Sequence, residues 1–383
     1  MSKTIVFCAD GTWDGLGDGD AQDLQADATN VLRLFAALAG TVTPETIRKQ
    51  DEQEKVSTAA DGTVVQVAKY LHGVGDSQNK IRKVLGGVFG EGFIGRIVRG
   101  YTFVSRNYRA GDRIVLTGFS RGAYTARALG GMIATMGLLP PDAALAADGS
   151  YDDEAAYKKG VYVWAQYRRA AGKTSSLLGF AEEFLGTKVD MATLVPSIPI
   201  AAIGVWDTVG SLGIPLYGLD KMSIEKIDLF QFADTVLSKQ VAAGFQALAL
   251  DEQRVDFQPT LWDDRSGIQQ RWFCGAHGDV GGGYPKQDLS MCTLDWMVGH
   301  LKESGAVMAP SWQASVAFDF GPIHTPYQQP PFNALAHAPR KLPPDALFHP
   351  SVPDYLKLFP DYDPVALAAR LQGRQLDPKT VLA

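Results

Sequence analysis

The stretch Arg113-Ile-Val-Leu-Thr-Gly-Phe-Ser-Arg-Gly-Ala-Tyr-Thr-Ala-Arg127 decides the fold. Ile114 to Leu116 form a short, branched, apolar run of the kind that makes a buried strand. Ala123, Ala126, Leu129, Met132 and Ile133 then recur at spacings of three and four, which predicts a helix. Between them lies Gly118-Phe-Ser120-Arg-Gly122. A G-x-S-x-G turn between strand and helix exposes its serine at a sheet edge and aims the positive end of the helix at it. Gly118 and Gly122 have a steric role, because side chains there would meet the neighbouring strand or helix. The competing reading makes Ser120 a plain helix cap.

The rest of the chain supports a large α/β protein. Its 383 residues are 46% hydrophobic and 20% charged, as in a globular protein with a full core. A net charge of −6 argues against nucleic acid as a partner. The start, Met1-Ser-Lys3, runs directly into a strand-like Thr4 to Phe7, so no conventional signal peptide is expected and synthesis is placed in the cytoplasm. No apolar window is long enough for a membrane-spanning helix. Cys8, Cys274 and Cys292 are scattered, which fits small buried hydrophobes and neither a disulfide framework nor a zinc cluster.

Strands are predicted at residues 4–9, 64–71, 199–206 and 270–274, and helices at 29–38, 95–108, 223–250, 290–302 and 364–372. Asp14, Asp18, Asp20, Asp23 and Asp27 crowd the loop after the first strand. They lack the order of a calcium-binding loop, so a solvated loop is the expectation. Residues 86–95 are Gly-rich without a phosphate-binding lysine motif. Residues 141–195 are Ala-rich and carry Tyr151, Tyr157, Tyr162, Trp164 and Tyr167, which predicts a helical cap insertion. Its second half, Leu177 to Leu185, has an apolar face that either packs on the body or meets lipid. Residues 303–383 form a Pro-rich C-terminal layer. The economical account is one domain over 1–383, an α/β-hydrolase-like, mostly parallel central sheet flanked by helices.

In α/β-hydrolases the catalytic order is Ser, then an acid, then His. Ser120, Asp207 and His277 occur in that order, each just past an apolar strand. The C-terminal ends of parallel strands share one edge, so the three would converge there. Asp279 competes with Asp207 for the acid, and His349 is the spare base. The backbone N–H of Gly11 or Thr12, with that of Arg121, would form the oxyanion hole, and Asp10 would hold that loop, through Arg121. This chemistry calls for no metal or other cofactor.

Six segments occur together and in order: Asp10-Gly-Thr-Trp13, Thr29-Asn30-Val31, Gly73-Val-Gly75, Gly118 to Arg127, Val205-Trp-Asp-Thr-Val-Gly210 and His277-Gly-Asp-Val-Gly-Gly-Gly-Tyr284. Over residues 3–300 the chain resembles the α/β-hydrolase domain of one class of type VI secretion lipase effectors. The resemblance implies a phospholipase or related lipid esterase whose nucleophile maps onto Ser120, with its Asp and His on Asp207 and His277. It also implies phospholipid substrate, peripheral membrane contact, delivery by a secretion apparatus, and an immunity protein as partner. Three alternatives stand beside it: a soluble carboxylesterase or thioesterase with the same triad, a non-catalytic binding protein that keeps the fold, and a metal-dependent phosphoesterase built on the Asp-rich loop.

Overall fold

A computed structural model describes residues 2–11, 28–47, 49, 52–73, 93–172, 186–209, 236–314, 320–330, 332–334, 336–371, 373 and 375–382. The described strands are β1 (Thr4–Ala9), β2 (Thr41–Val42), β3 (Glu52–Thr58), β4 (Val64–Leu71), β5 (Arg113–Phe119), β6 (Ile200–Trp206), β7 (Val241–Ala249) and β8 (Ile268–Phe273). They form one sheet in the order β2-β3-β4-β1-β5-β6-β7-β8. From β4 to β8 all neighbours are parallel, while β2, β3 and β4 pair antiparallel.

Parallel strands covered on both faces must be apolar on both faces. In β1, Ile5, Phe7 and Ala9 enter one core while Val6 and Cys8 enter the other, the alternation that a strand imposes. The first core is closed by α2 (Phe93–Asn107) and α3 (Arg121–Met136), the second by α1 (Asn30–Ala37) and α6 (Asp288–Glu303). The result is the α/β-hydrolase-like sandwich expected from the sequence.

Outside α2 and α3 lies α4 (Asp153–Ala170). Asp152 caps it by accepting from Glu154 N and Ala155 N, with acids in its first turn and Arg168 and Arg169 in its last, each matched to the helix dipole. Tyr157, Tyr162, Trp164 and Tyr167 are buried in the first core, so the described aromatic residues of α4 pack on the body. The apolar face at Leu177 to Leu185 lies outside the described residues, as do the Asp-rich loop from Asp14 to Asp27 and Gly86 to Gly92.

Two expected helices are corrected, and two strands stand where none was predicted. The helix expected over 223–250 is, at Val241–Ala249, the strand β7; the earlier part lies outside the described residues. Val-Ala-Ala-Gly-Phe-Gln-Ala-Leu-Ala has the composition of a helix. Pairing with β6 and β8, and burial of Phe245, Ala247, Leu248 and Ala249, override that weak local preference. The polar stretch 39–61 carries β2 and β3, whose half-exposed pattern and charged side chains hide their strand character. The helix expected at 364–372 shrinks to a 3-10 turn at Ala368–Arg370, with Leu367 as its buried neighbour. The helix of this layer is instead α7 (Ser351–Leu358), which buries Val352, Tyr355 and Leu356.

The C-terminal layer covers the β8 edge. Trp272 N donates to Leu347 O and His349 N to Trp272 O, and Phe348 N and Leu382 N continue the pattern with Thr380 O and Phe348 O. The outward backbone N–H and C=O of Trp272 on this edge strand are thereby satisfied.

Candidate active site

The parallel register brings the ends of β1, β5, β6, β7 and β8 to one side: Ala9 pairs with Gly118, Phe119 with Trp206, Trp206 with Ala247 and Ala249 with Phe273. Ser120, Asp207 and the segment leading to His277 therefore emerge together.

Ser120 sits between β5 and α3 with φ 57 and ψ −121. A side chain rarely adopts such backbone, and among the described residues the non-glycine residues with positive φ are Ser120, Ser197 and Asp207. Its N–H donates to Trp206 O at 3.1 Å, which clamps the turn to the end of β6. The Ser120 side chain makes no capping bond to α3, against the helix-cap reading. The flanking glycines are explained by contact: a Cβ on Gly118 would lie 2.3 Å from Gly122 O, and one on Gly122 would lie 2.0 Å from Ala9 O. The turn can close only with glycine at both places.

Asp207 ends β6 with φ 41 and is fully buried. Its Oδ2 meets His277 Nδ1 at 2.6 Å and accepts from Arg340 Nη2 at 2.8 Å. Its Oδ1 accepts from Arg340 Nη1 at 2.5 Å and from Ala249 N at 3.1 Å. Burial pushes this carboxyl up, but the Arg340 guanidinium and the His277 bond outweigh it and hold Asp207 below the usual carboxylate range. Asp207 is thus a fixed anion.

His277 opens the short helix α5 (His277–Gly281). The turn of helix forms because Asp279 accepts from Ala276 N at 2.9 Å. Burial holds the imidazole below its ordinary value, partly opposed by the bond to Asp207. Neutral His277 donates through Nδ1 to Asp207, leaving Nε2 as the acceptor. The Phe119 ring, next to Ser120, packs on the His277 ring at 4.5 Å, and Phe257 meets it edge-on at 4.9 Å. Gly281 lets Phe119 approach, since a Cβ there would lie 2.0 Å from its ring.

The other sequence candidates have different partners. Asp279 bonds to His324, Oδ1 to Nδ1 at 2.6 Å and Oδ2 to its backbone N at 3.0 Å. His349 takes Ser351 Oγ at 2.9 Å beside Cys292 and stacks on Phe273, with its imidazole pushed down to about 4 by burial. Asp10 is buried and accepts from Thr29 Oγ1 at 2.6 Å and Tyr70 OH at 2.5 Å, while Arg96 donates to its carbonyl. Burial raises the Asp10 carboxyl despite those bonds.

The Gly11 N–H also donates to Asp10 Oδ1, at 2.7 Å. In this conformation the Gly11 amide is held by a carboxylate, which bears on one of the two alternatives for the oxyanion hole. Thr12 lies outside the described residues. Arg121 is the first residue of α3, in the turn whose amides point at Ser120. Asn30 explains the Thr29-Asn30 motif: its Nδ2 donates to Val280 O, Ser290 O and Thr293 Oγ1, tying α1 to α5 and α6.

Arg340, Glu252 and Arg254 were missed in the sequence. Glu252 accepts from His277 N at 3.2 Å and holds Arg254 Nε and Nη2 at 2.9 and 2.8 Å. Reading β7 as a strand would have put Glu252 at the same sheet edge. Arg340 has no local signal. Among the described residues, no group of three or more His, Cys, Asp or Glu side chains is arranged to hold a metal ion, and no helix is long and apolar enough to cross a membrane.

The model of the family described as type VI secretion system (T6SS), phospholipase effector Tle1-like, catalytic domain, matches residues 3–300. A curated relative, the uncharacterised protein YEL023C of Saccharomyces cerevisiae, is 31% identical over 137 residues, which is 36% of this chain and 18% of the relative. Among solved structures, a protein from Pseudomonas aeruginosa aligns with TM-score 0.42 and 17% identity over 82% of this chain and 48% of its own. The Tle1 effector bound to the VgrG spike of the type 6 secretion system aligns with TM-score 0.36 and 16% identity over 74% and 51%. The chain spans about half the length of these two structures and less than a fifth of the curated relative.

Proposed function

We propose, for a chain that belongs to the Tle1-like phospholipase effector family of type VI secretion, a serine hydrolase that cleaves acyl esters of phospholipids. The observation that carries the reading is the 2.6 Å bond between Asp207 and His277 at the sheet edge from which the strained Ser120 turn emerges. In the proposed cycle Ser120 Oγ attacks the ester carbonyl carbon while His277 Nε2 takes its proton. Asp207 orients the ring and stabilises the imidazolium. The amides at the start of α3, that of Arg121 among them, stabilise the oxyanion. His277 then returns the proton to the departing lysophospholipid oxygen. Water, activated by the same imidazole, releases the fatty acid and regenerates Ser120. A neutral His277 and an ionised Asp207 suit this division of labour.

Family membership supports the phospholipid as substrate, and with it a peripheral membrane contact and delivery by a type VI apparatus. The test is hydrolysis of phospholipid vesicles by wild type and Ser120→Ala, with products resolved by mass spectrometry. Wild type should release fatty acid and lysophospholipid, and Ser120→Ala neither. Release of product by both proteins would overturn the reading. Turnover of short esters with no gain on vesicles would move the substrate to small soluble esters.

A further inference from the structure

Arg340 lies 133 residues from Asp207 in sequence and beyond the residues matched by the family, yet its side chain is fully buried against the carboxylate. Its two terminal nitrogens take both Asp207 oxygens. The same nitrogens reach Ala249 O at 2.9 Å and Phe257 O at 2.7 Å, at the end of β7 and under the ring that edges His277. A planar fork satisfied on four sides fixes the carboxylate in rotation as well as position. A single backbone amide, Ala249 N, would not do that.

We infer that Arg340 is a positioning residue: the C-terminal layer supplies the cation that pairs with both Asp207 oxygens and aims the carboxylate at His277 Nδ1. The inference rests on the Ser120–His277–Asp207 reading. Without the guanidinium, only the His277 bond and the Ala249 amide would oppose burial, and the Asp207 carboxyl would rise. A protonated Asp207 no longer fixes the Nδ1–H tautomer, and Nε2 loses its role as acceptor. The other charged groups facing the pair are Glu252 and Arg254, which bond bidentately to each other, and Asp251; the Arg340 charge also acts on Glu252 and Asp251, lowering both carboxyls.

The experiment measures kcat and KM on a fluorogenic short-chain ester across about pH 5 to 9 for wild type and Arg340→Ala, with thermal melts and fluorophosphonate labelling of Ser120. Arg340→Ala should lose about a hundredfold in kcat, as expected when a catalytic group is misplaced. KM should stay within about twofold. The acid limb of the profile should move to higher pH, and added guanidinium should restore part of kcat. A folded Arg340→Ala with wild-type kcat and an unmoved acid limb overturns the role. If Arg340→Ala does not fold with or without guanidinium, Arg340→Lys decides. An ammonium cannot span both oxygens, so kcat should fall about tenfold or more with a raised acid limb. Wild-type behaviour of Arg340→Lys would then refute the inference. Wild type that takes no fluorophosphonate at Ser120 defeats the triad reading and the Arg340 role together, whereas labelled wild type beside an unaffected Arg340→Ala defeats the Arg340 role alone.

Discussion

Two Asp–His pairs stand close together in this molecule, and they are built differently. Asp207 meets His277, and Asp279 meets His324, each Oδ to Nδ1 at 2.6 Å. Both aspartates are buried. The histidines part company: the His277 side chain is 8% exposed and wedged between Phe119 and Phe257, whereas that of His324 is 31% exposed and stacks on Tyr284. The carboxylates part company too. Asp207 is clamped by a guanidinium, and Asp279 spends its second oxygen on the backbone amides of Ala276 and His324. The first pair stands beside a strained serine. The second staples the tail to the start of α5. On the proposed function the same hydrogen bond serves two ends, and its surroundings decide which: proton transfer needs a nucleophile within reach and a carboxylate that cannot itself take the proton.

The sharpest way to break this comparison is to remove the groups assigned to proton transfer. Ser120→Ala or His277→Ala should lower kcat by about five to six powers of ten on a short-chain ester, with little change in melting temperature. Asp207→Asn should cost about four, because the wrong tautomer of His277 becomes favoured. It also strands the Arg340 charge in the interior, so denaturant melts should show a loss of about 3–5 kcal/mol. The second pair should respond in reverse. His324→Ala should leave kcat within about tenfold and cost about 1–2 kcal/mol of stability, the worth of a partly exposed charge-assisted hydrogen bond. A kcat loss at His324 as large as that at His277 would erase the distinction.

The pH profile sharpens the same contrast. In the proposed cycle neutral His277 is the base, and burial depresses its value, so kcat/KM should fall only as pH drops below about 6.5. An acid limb above that value would contradict the environment described for the ring. The smallest effect concerns Asp251, pushed up to about 6 by burial despite bonds from Gly275 N and Tyr362 OH. A raised folded value means stability present at low pH and lost as pH rises through about 6. Relative to Asp251→Asn, wild type should therefore gain on the order of 2 kcal/mol in melts as pH falls from about 7 to about 4.

Much of this was legible because a buried parallel strand is written as a short unbroken apolar run. Thr4–Ala9, Ile200–Trp206 and the strand before Ser120 could be read that way, and the polar residues just past their ends pointed to one sheet edge. Thr29 and Asn30 were legible as a helix start, though not as the bridge to α5. What escaped had no local signal. β7 is Ala-rich, and only its neighbours make it a strand. Glu252 was hidden behind that misreading. Arg340 and His324 find their partners across 133 and 45 residues, from a stretch whose prolines suggest irregular chain and nothing more. The bond between the Gly11 amide and the adjacent Asp10 carboxylate likewise had no signal in the sequence.

The most direct test of the central claim is fluorophosphonate labelling followed by peptide mapping of wild type, His277→Ala and His324→Ala. The account predicts one adduct, on Ser120, formed rapidly in wild type and in His324→Ala and slowed by orders of magnitude in His277→Ala. An adduct elsewhere, or equal labelling of Ser120 with and without His277, would contradict it.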